Sequence, residues 1–188
     1  MRAMSMWVAA VAFAWSAAAA AAVEVGGVRL DEKANVGGQE LVLNGAGLRT
    51  RVFIKVYVAS LWLPAKASAL SGVLAKAPRR VQMNLLRDLS ADQLVNALVD
   101  GLKDNNSEAE LAAIKAQVDQ MVATMKAFNE VKEKDVVALD FVDGATRITL
   151  NGQAKTSIPG DAFNAALMKV WLGDKPVQAD LRKAMLGG

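Results

Sequence analysis

Cysteine and histidine are both missing from this 188-residue chain, and tyrosine occurs once. Without cysteine there is no disulfide and no thiol nucleophile. Without histidine there is no imidazole base, no Ser-His-Asp triad and little basis for a transition-metal site, so no metal and no cofactor are expected. Chemistry is left to carboxylates, lysine, arginine, the single Tyr57, hydroxyls and backbone amides. The formal charge of +3 is a small excess of 22 basic over 19 acidic residues. It forms no run of Lys or Arg interleaved with aromatics, so nucleic acid is not an expected partner.

What is present begins with a leader. Met1 to Ala22 carries one charge, Arg2, then an apolar centre from Met6 to Trp15 and small residues ending Ala20-Ala21-Ala22. These three regions predict a signal peptide cleaved after Ala22, hence export to the periplasm and a mature single domain over residues 23–188, with no stable membrane anchor after cleavage. An uncleaved anchor is the competing reading, because the segment approaches the ~20 residues of a membrane span.

Val25–Leu30 and Gln39–Leu43 read as short strands, the second entered from a Gly37-Gly38 turn. Ala67–Ala75 reads as a short helix and Arg79–Leu86 as a strand. Ser90 with Gln93, and Ser107 with Glu110, have the spacing of capping boxes, each opening a helix. After the second, Leu111, Ile114, Val118, Met121, Met125 and Phe128 form one apolar stripe, which predicts a single long helix laid on a sheet. From Val136 the period drops to two, and Asp143-Gly144 and Asn151-Gly152 separate three strands of a meander. Two helices follow, one from Asp161 to Gly173 with Phe163, Leu167, Val170 and Trp171 on one side, and one over Gln178–Leu186. Strands, helices, strands and helices in that order give an α+β fold, a large antiparallel sheet with helices packed on one side.

The stretch that organises the chain is Asn44 to Leu63. It reads as a Gly-rich turn feeding one long strand. Alternation places Val52, Ile54, Val56 and Val58 on a core face and Arg51, Phe53, Lys55 and Tyr57 on the other, where Arg49 joins them if the phase is unbroken. That second face is either a cleft wall or a wet sheet face, and Arg51 and Lys55 need no function to sit on a wet face.

Gly45-Ala46-Gly47-Leu48-Arg49, then Phe53-Ile54-Lys55, then a strand ending in Trp62-Leu63, resembles the opening of the chalcone isomerase fold. Arg87-Asp88-Leu89-Ser90, Thr156-Ser157-Ile158-Pro159 and the segment Trp171 to Lys183 match in order, so the resemblance spans about residues 25–186 and is nearest to the bacterial, exported, chalcone isomerase-like branch. It implies an open-faced β-sandwich, one large antiparallel sheet covered by helices, with a ligand cleft between them. It also implies that Arg49 stands at the family's catalytic arginine and Tyr57 at its catalytic threonine. Polar cleft positions of the plant enzymes fall on Leu94, near Gly101 and on Val170, none of which holds a substrate by a polar side chain.

The retained Arg49 beside apolar replacements suits an amphiphile with one anionic head. The expectation is therefore a noncatalytic binder of a fatty acid or other small lipophilic acid, with Arg49, Phe53, Lys55, Tyr57, Leu94, Val170 and Trp171 as ligand-binding residues. Two alternatives stand beside it: an isomerase of the intramolecular lyase type using Arg49 and Tyr57 as catalytic residues, and an envelope protein that engages a partner and has no ligand. For Arg49 itself the plain alternative is an ion pair with a neighbouring acid at the end of a hairpin.

Overall fold

The computed structural model describes residues 22–75 and 77–188, so the expected leader, apart from Ala22, lies outside the described residues. Strands β1 (Ala22–Val25) and β2 (Val28–Asp31) form a separate hairpin. β3 (Lys33–Val36), β4 (Gln39–Arg51) and β5 (Ile54–Leu63) then lead into the main sheet. A five-residue helix α1 (Leu70–Leu74) precedes β6 (Arg79–Leu85), and the short strands β7 (Leu89–Ser90) and β8 (Glu130–Val131) bracket α2 (Ala91–Asn105), α3 (Glu108–Ala113) and α4 (Lys115–Ala127). The meander β9 (Val136–Val142), β10 (Ala145–Leu150) and β11 (Gln153–Pro159) is followed by α5 (Asp161–Leu172) and α6 (Ala179–Met185). The main sheet has seven strands in the order β11-β10-β9-β6-β5-β4-β3, with every neighbouring pair antiparallel. The expected α+β architecture, a large antiparallel sheet with helices on one side, is the one observed.

Helices cover the face that carries Ala59, Leu61, Leu63, Val81, Leu139, Phe141, Ile148 and Ile158, and the main core forms where Phe163, Leu167, Met168 and Leu172 of α5 and Leu181 and Met185 of α6 meet them. The opposite face has its main apolar cluster at one end. There the β1–β2 hairpin and β3 bring Leu30 and Val36 against Leu41, Leu43, Val58 and Trp62. Farther along, the same face turns polar, and Arg80 makes a two-pronged contact with Asp140 at 2.5 and 2.7 Å. Both capping boxes form: the Ser90 hydroxyl accepts from the Gln93 amide while Gln93 accepts from the Ser90 amide, and Ser107 with Glu110 repeats the exchange.

Four expectations need correction. Val25–Leu30 is not one strand, because Gly26 and Gly27, with φ of 60° and 90°, turn the chain between β1 and β2. The apolar stripe after Ser107 is not one helix; it is interrupted at Ile114, whose φ of −110° and ψ of 12° end α3 and start α4 while its side chain enters the core. The helix expected over Ala67–Ala75 shrinks to α1, with Ala69 still extended.

The largest correction falls on the organising stretch. Asn44 to Gly47 is the body of β4, and the turn comes later, at Val52-Phe53, with φ of 48° and 67°. The supposed strand is thus a long hairpin of β4 and β5. Val52 and Ile54 are consequently exposed, not core, and Val58 is buried on the face away from the helices. The glycines that read as a turn answer to packing instead. A Cβ on Gly45 would lie 2.1 Å from the Ala184 carbonyl oxygen of α6, and one on Gly47 would lie 2.8 Å from the Ala184 Cβ. Asn44 closes the same seam, its Nδ2 donating to the carbonyls of Met185 at 2.8 Å and Ala67 at 3.0 Å.

Candidate functional site

Arg49 and Tyr57 do point the same way, but for a different reason from strand alternation along one segment. They are direct cross-strand partners in the β4–β5 ladder, so both side chains rise from the helix-covered face. Trp171, near the end of α5, completes the group, with its indole Nε1 donating to the Tyr57 hydroxyl oxygen at 3.3 Å. Burial pushes the Tyr57 phenol above its ordinary value, opposed by the Trp171 hydrogen bond and by the nearby Arg49 guanidinium. The phenol is therefore protonated at neutral pH. Its oxygen accepts from Trp171, and no acceptor among the described residues takes its proton.

The Arg49 guanidinium is half-buried. Its Nη1 donates to the Thr50 carbonyl at 2.6 Å and to the Gln178 side-chain oxygen at 3.2 Å. Gln178, just ahead of α6, holds this end of β4 from both directions: its oxygen also accepts from the Thr50 amide at 2.9 Å, and its Nε2 donates to the Leu48 carbonyl at 3.2 Å. All these partners are neutral. Among the described residues no carboxylate forms an ion pair with Arg49, so the expected alternative of a salt bridge at a hairpin end is not what the side chain does. A half-buried cation and a protonated phenol side by side, with no anion between them, can bind a carboxylate or another compact anionic head.

The remaining expected residues separate. Leu94 is half-buried beside Tyr57, in a cluster with Val56, Met83, Phe128 and Leu150 over the buried Leu85, Leu89, Val131 and Val137. Val170 is sealed away from any cleft: it packs on Gly101 so closely that a Cβ there would come within 2.8 Å of Val170 Cγ1. Where the resemblance puts two polar cleft groups, the helices α2 and α5 are in direct contact. Phe53 stands exposed in the hairpin turn, and Lys55, also exposed, is paired with Thr50 next to the Arg49–Tyr57 pair.

Four surface concavities of about 340 to 480 Å³ lie elsewhere, and neither Arg49 nor Tyr57 lines any of them. One of about 480 Å³, between α4 and the β10–β11 pair, is lined by Phe128 and Leu150, half-buried members of the cluster that also holds Tyr57. Gln178, Met83 and Leu150 were not legible as site residues. Gln178 lies inside the matching segment Trp171 to Lys183 but was read there only as part of the resemblance, and the other two are ordinary apolar strand positions until the register aligns them. Phe128 was legible only as part of a helical stripe.

Comparison with known proteins agrees with this architecture. No curated protein sequence matches the chain. Among solved structures, a fatty-acid binding protein of Arabidopsis thaliana is similar over 88% of this chain and 96% of its own, with a TM-score of 0.67 and 12% sequence identity, which is a likeness of fold. The chalcone isomerase-like family profile matches residues 22–187, nearly all of the described chain and including the Arg49–Tyr57 hairpin, and the protein belongs to that family.

Proposed function

We propose that the protein is a noncatalytic binder of a fatty acid or similar lipophilic acid, working in the periplasm after removal of its leader. One observation carries the reading: Arg49, half-buried on the helix-covered face, has no carboxylate partner among the described residues and stands beside a phenol whose proton is unclaimed. A ligand carboxylate accepts from both groups. Its aliphatic chain lies among the half-buried Leu94, Met83, Phe128 and Leu150, and ends in the concavity that Phe128 and Leu150 line. Arg49 lines none of the four concavities, so the chain enters by parting these side chains. Each methylene buried contributes about 0.8 kcal/mol. The likeness of fold to a fatty-acid binding protein supports the reading without specifying the ligand.

Isothermal titration of saturated fatty acids of increasing length is the test. Affinity rises stepwise with chain length in the parent, falls moderately in Arg49→Lys and falls most in Arg49→Ala. Equal affinity in parent and Arg49→Ala would overturn the reading. The isomerase alternative is tested separately by following chalcone absorbance. With Val170 packed on Gly101 in place of polar cleft groups, the protein leaves that rate at background. N-terminal sequencing of the periplasmic protein tests cleavage after Ala22; an intact Met1 in the membrane fraction excludes it.

A further inference from the structure

Five two-residue turns join antiparallel strands in the described chain. Four are Gly26-Gly27, Gly37-Gly38, Asp143-Gly144 and Asn151-Gly152, whose residues adopt positive φ readily. The fifth is Val52-Phe53, with φ of 48° and 67°, a conformation that β-branched and bulky residues rarely take. Its side chains gain nothing inside the molecule in return: Val52 is 80% exposed, Phe53 100% and Ile54 51%, the group of exposed large apolar side chains at one place on the described surface. A strained, wholly apolar apex is the opposite of what folding selects at such a position.

Charge surrounds the apex on both strands. Arg51 is paired with Ile54 and Lys55 with Thr50, so one cation stands just behind the apolar tip on each side. Both are exposed, and neither forms an ion pair among the described residues. We propose that the β4–β5 tip is a reversible membrane-docking wedge, in which Val52, Phe53 and Ile54 enter the interfacial layer of an anionic bilayer while Arg51 and Lys55 meet its headgroups. Apolar side chains projecting past uncompensated cations are the pattern that binds such a surface. The tip is convex and its cations lie on two sides, which fits a plane of negative charge better than a closed protein pocket. Three side chains form a shallow anchor, so the protein also leaves the surface. Docking brings Arg49 and Tyr57, the next cross-strand pair beyond Thr50 and Lys55, close to the lipid; that consequence rests on the proposed binding of a lipophilic acid, whereas docking itself does not.

The test uses residues 22–188, which contain every buried cluster described above, in co-sedimentation with vesicles of phosphatidylcholine alone or mixed in equal parts with phosphatidylglycerol. The parent pellets with the mixed vesicles and much less with the neutral ones. Replacing the apex by an ordinary turn, Val52→Asn with Phe53→Gly, lowers binding by roughly tenfold while raising the melting temperature, so misfolding cannot account for the loss. Arg51→Gln with Lys55→Gln lowers binding to mixed vesicles by about fivefold per charge. A parent that stays in the supernatant with both vesicles overturns the proposal, as does an Asn-Gly variant that binds like the parent; either result leaves the tip to a protein partner. Fatty-acid titration of the Asn-Gly variant in solution, expected to match the parent, separates failure of this wedge from failure of the ligand site.

Discussion

The two ends of the β4–β5 hairpin depart from residue preference in opposite directions. At its base, Gly45 and Gly47 occupy the body of a strand, where β-branched residues are favoured. At its tip, Val52 and Phe53 occupy a turn, where glycine is favoured. The base is explained by packing, since α6 lies so close that any side chain on Gly45 would strike a backbone carbonyl. The tip has no such neighbour. Strain accepted for packing and strain accepted without it are physically different, and only the second points outward, to something beyond the chain.

Substitution at the base should have the largest effect. Gly45→Val forces its side chain into the Ala184 and Met185 carbonyls and should destabilise by about 3 kcal/mol or more, read as a fall in the midpoint of urea unfolding. A variant as stable as the parent would mean that α6 can move off β4 at no cost. Exchanging turn residues comes next. Transplanting Val-Phe to the meander, as Asp143→Val with Gly144→Phe, should cost about 2 kcal/mol, because two side chains are then held at positive φ. The reciprocal change, Val52→Asn with Phe53→Gly, should stabilise by about 1–2 kcal/mol. If both exchanges are neutral in thermal unfolding, the contrast between tip and meander carries no energy.

Between base and tip lies the Arg49–Tyr57 pair, and there the expected stability effects are small. Arg49→Ala removes hydrogen bonds to Thr50 and Gln178 but no ion pair, so it should lower the melting temperature by only a few degrees. A collapse of the fold would identify the arginine as structural. The smallest effect is spectroscopic. Because Tyr57 is the only tyrosine, the ultraviolet phenolate band titrates one residue, and its midpoint should lie above the ordinary value near 10. The folded state holds this proton more tightly than the unfolded state. The contribution of Tyr57 to stability is therefore constant below the ordinary tyrosine range and falls as pH rises through its folded value. Arg49→Ala should move the midpoint higher still, since the guanidinium favours the phenolate. An unchanged midpoint in that variant would place the two groups too far apart to act together.

Much of the architecture was legible because local chemistry and global fold agree in the meander and the capped helices. Asp143-Gly144, Asn151-Gly152, Ser90 with Gln93 and Ser107 with Glu110 each encode a turn or a helix start within four residues. The β4–β5 hairpin was misread because its information is not local. Gly45 and Gly47 answer to α6, about 140 residues away, and Val52-Phe53 carries no turn signal. The site shows the same division. Arg49, Tyr57 and Trp171 could be picked out, yet what ties them is cross-strand register and a hydrogen bond over 114 residues of sequence. Gln178 meets Arg49 only in three dimensions. The closure of Val170 onto Gly101 was invisible for the same reason, because a sequence shows which side chains are apolar but not whether two helices touch.

The seam between β4 and α6 also orders events in time. During synthesis β4 is made early, while Ala184 and Met185, whose backbone covers Gly45 and accepts from Asn44, are made about 140 residues later. A growing chain can form the hairpin, but its central strand stays bare on the helix side until those residues have left the ribosome. Contacts of such long sequence separation are slow to form, and the open face is sticky while it waits. Docking of α6 is therefore a late step in folding, and a chaperone holding a chain in which it has not happened would be expected to shield β4.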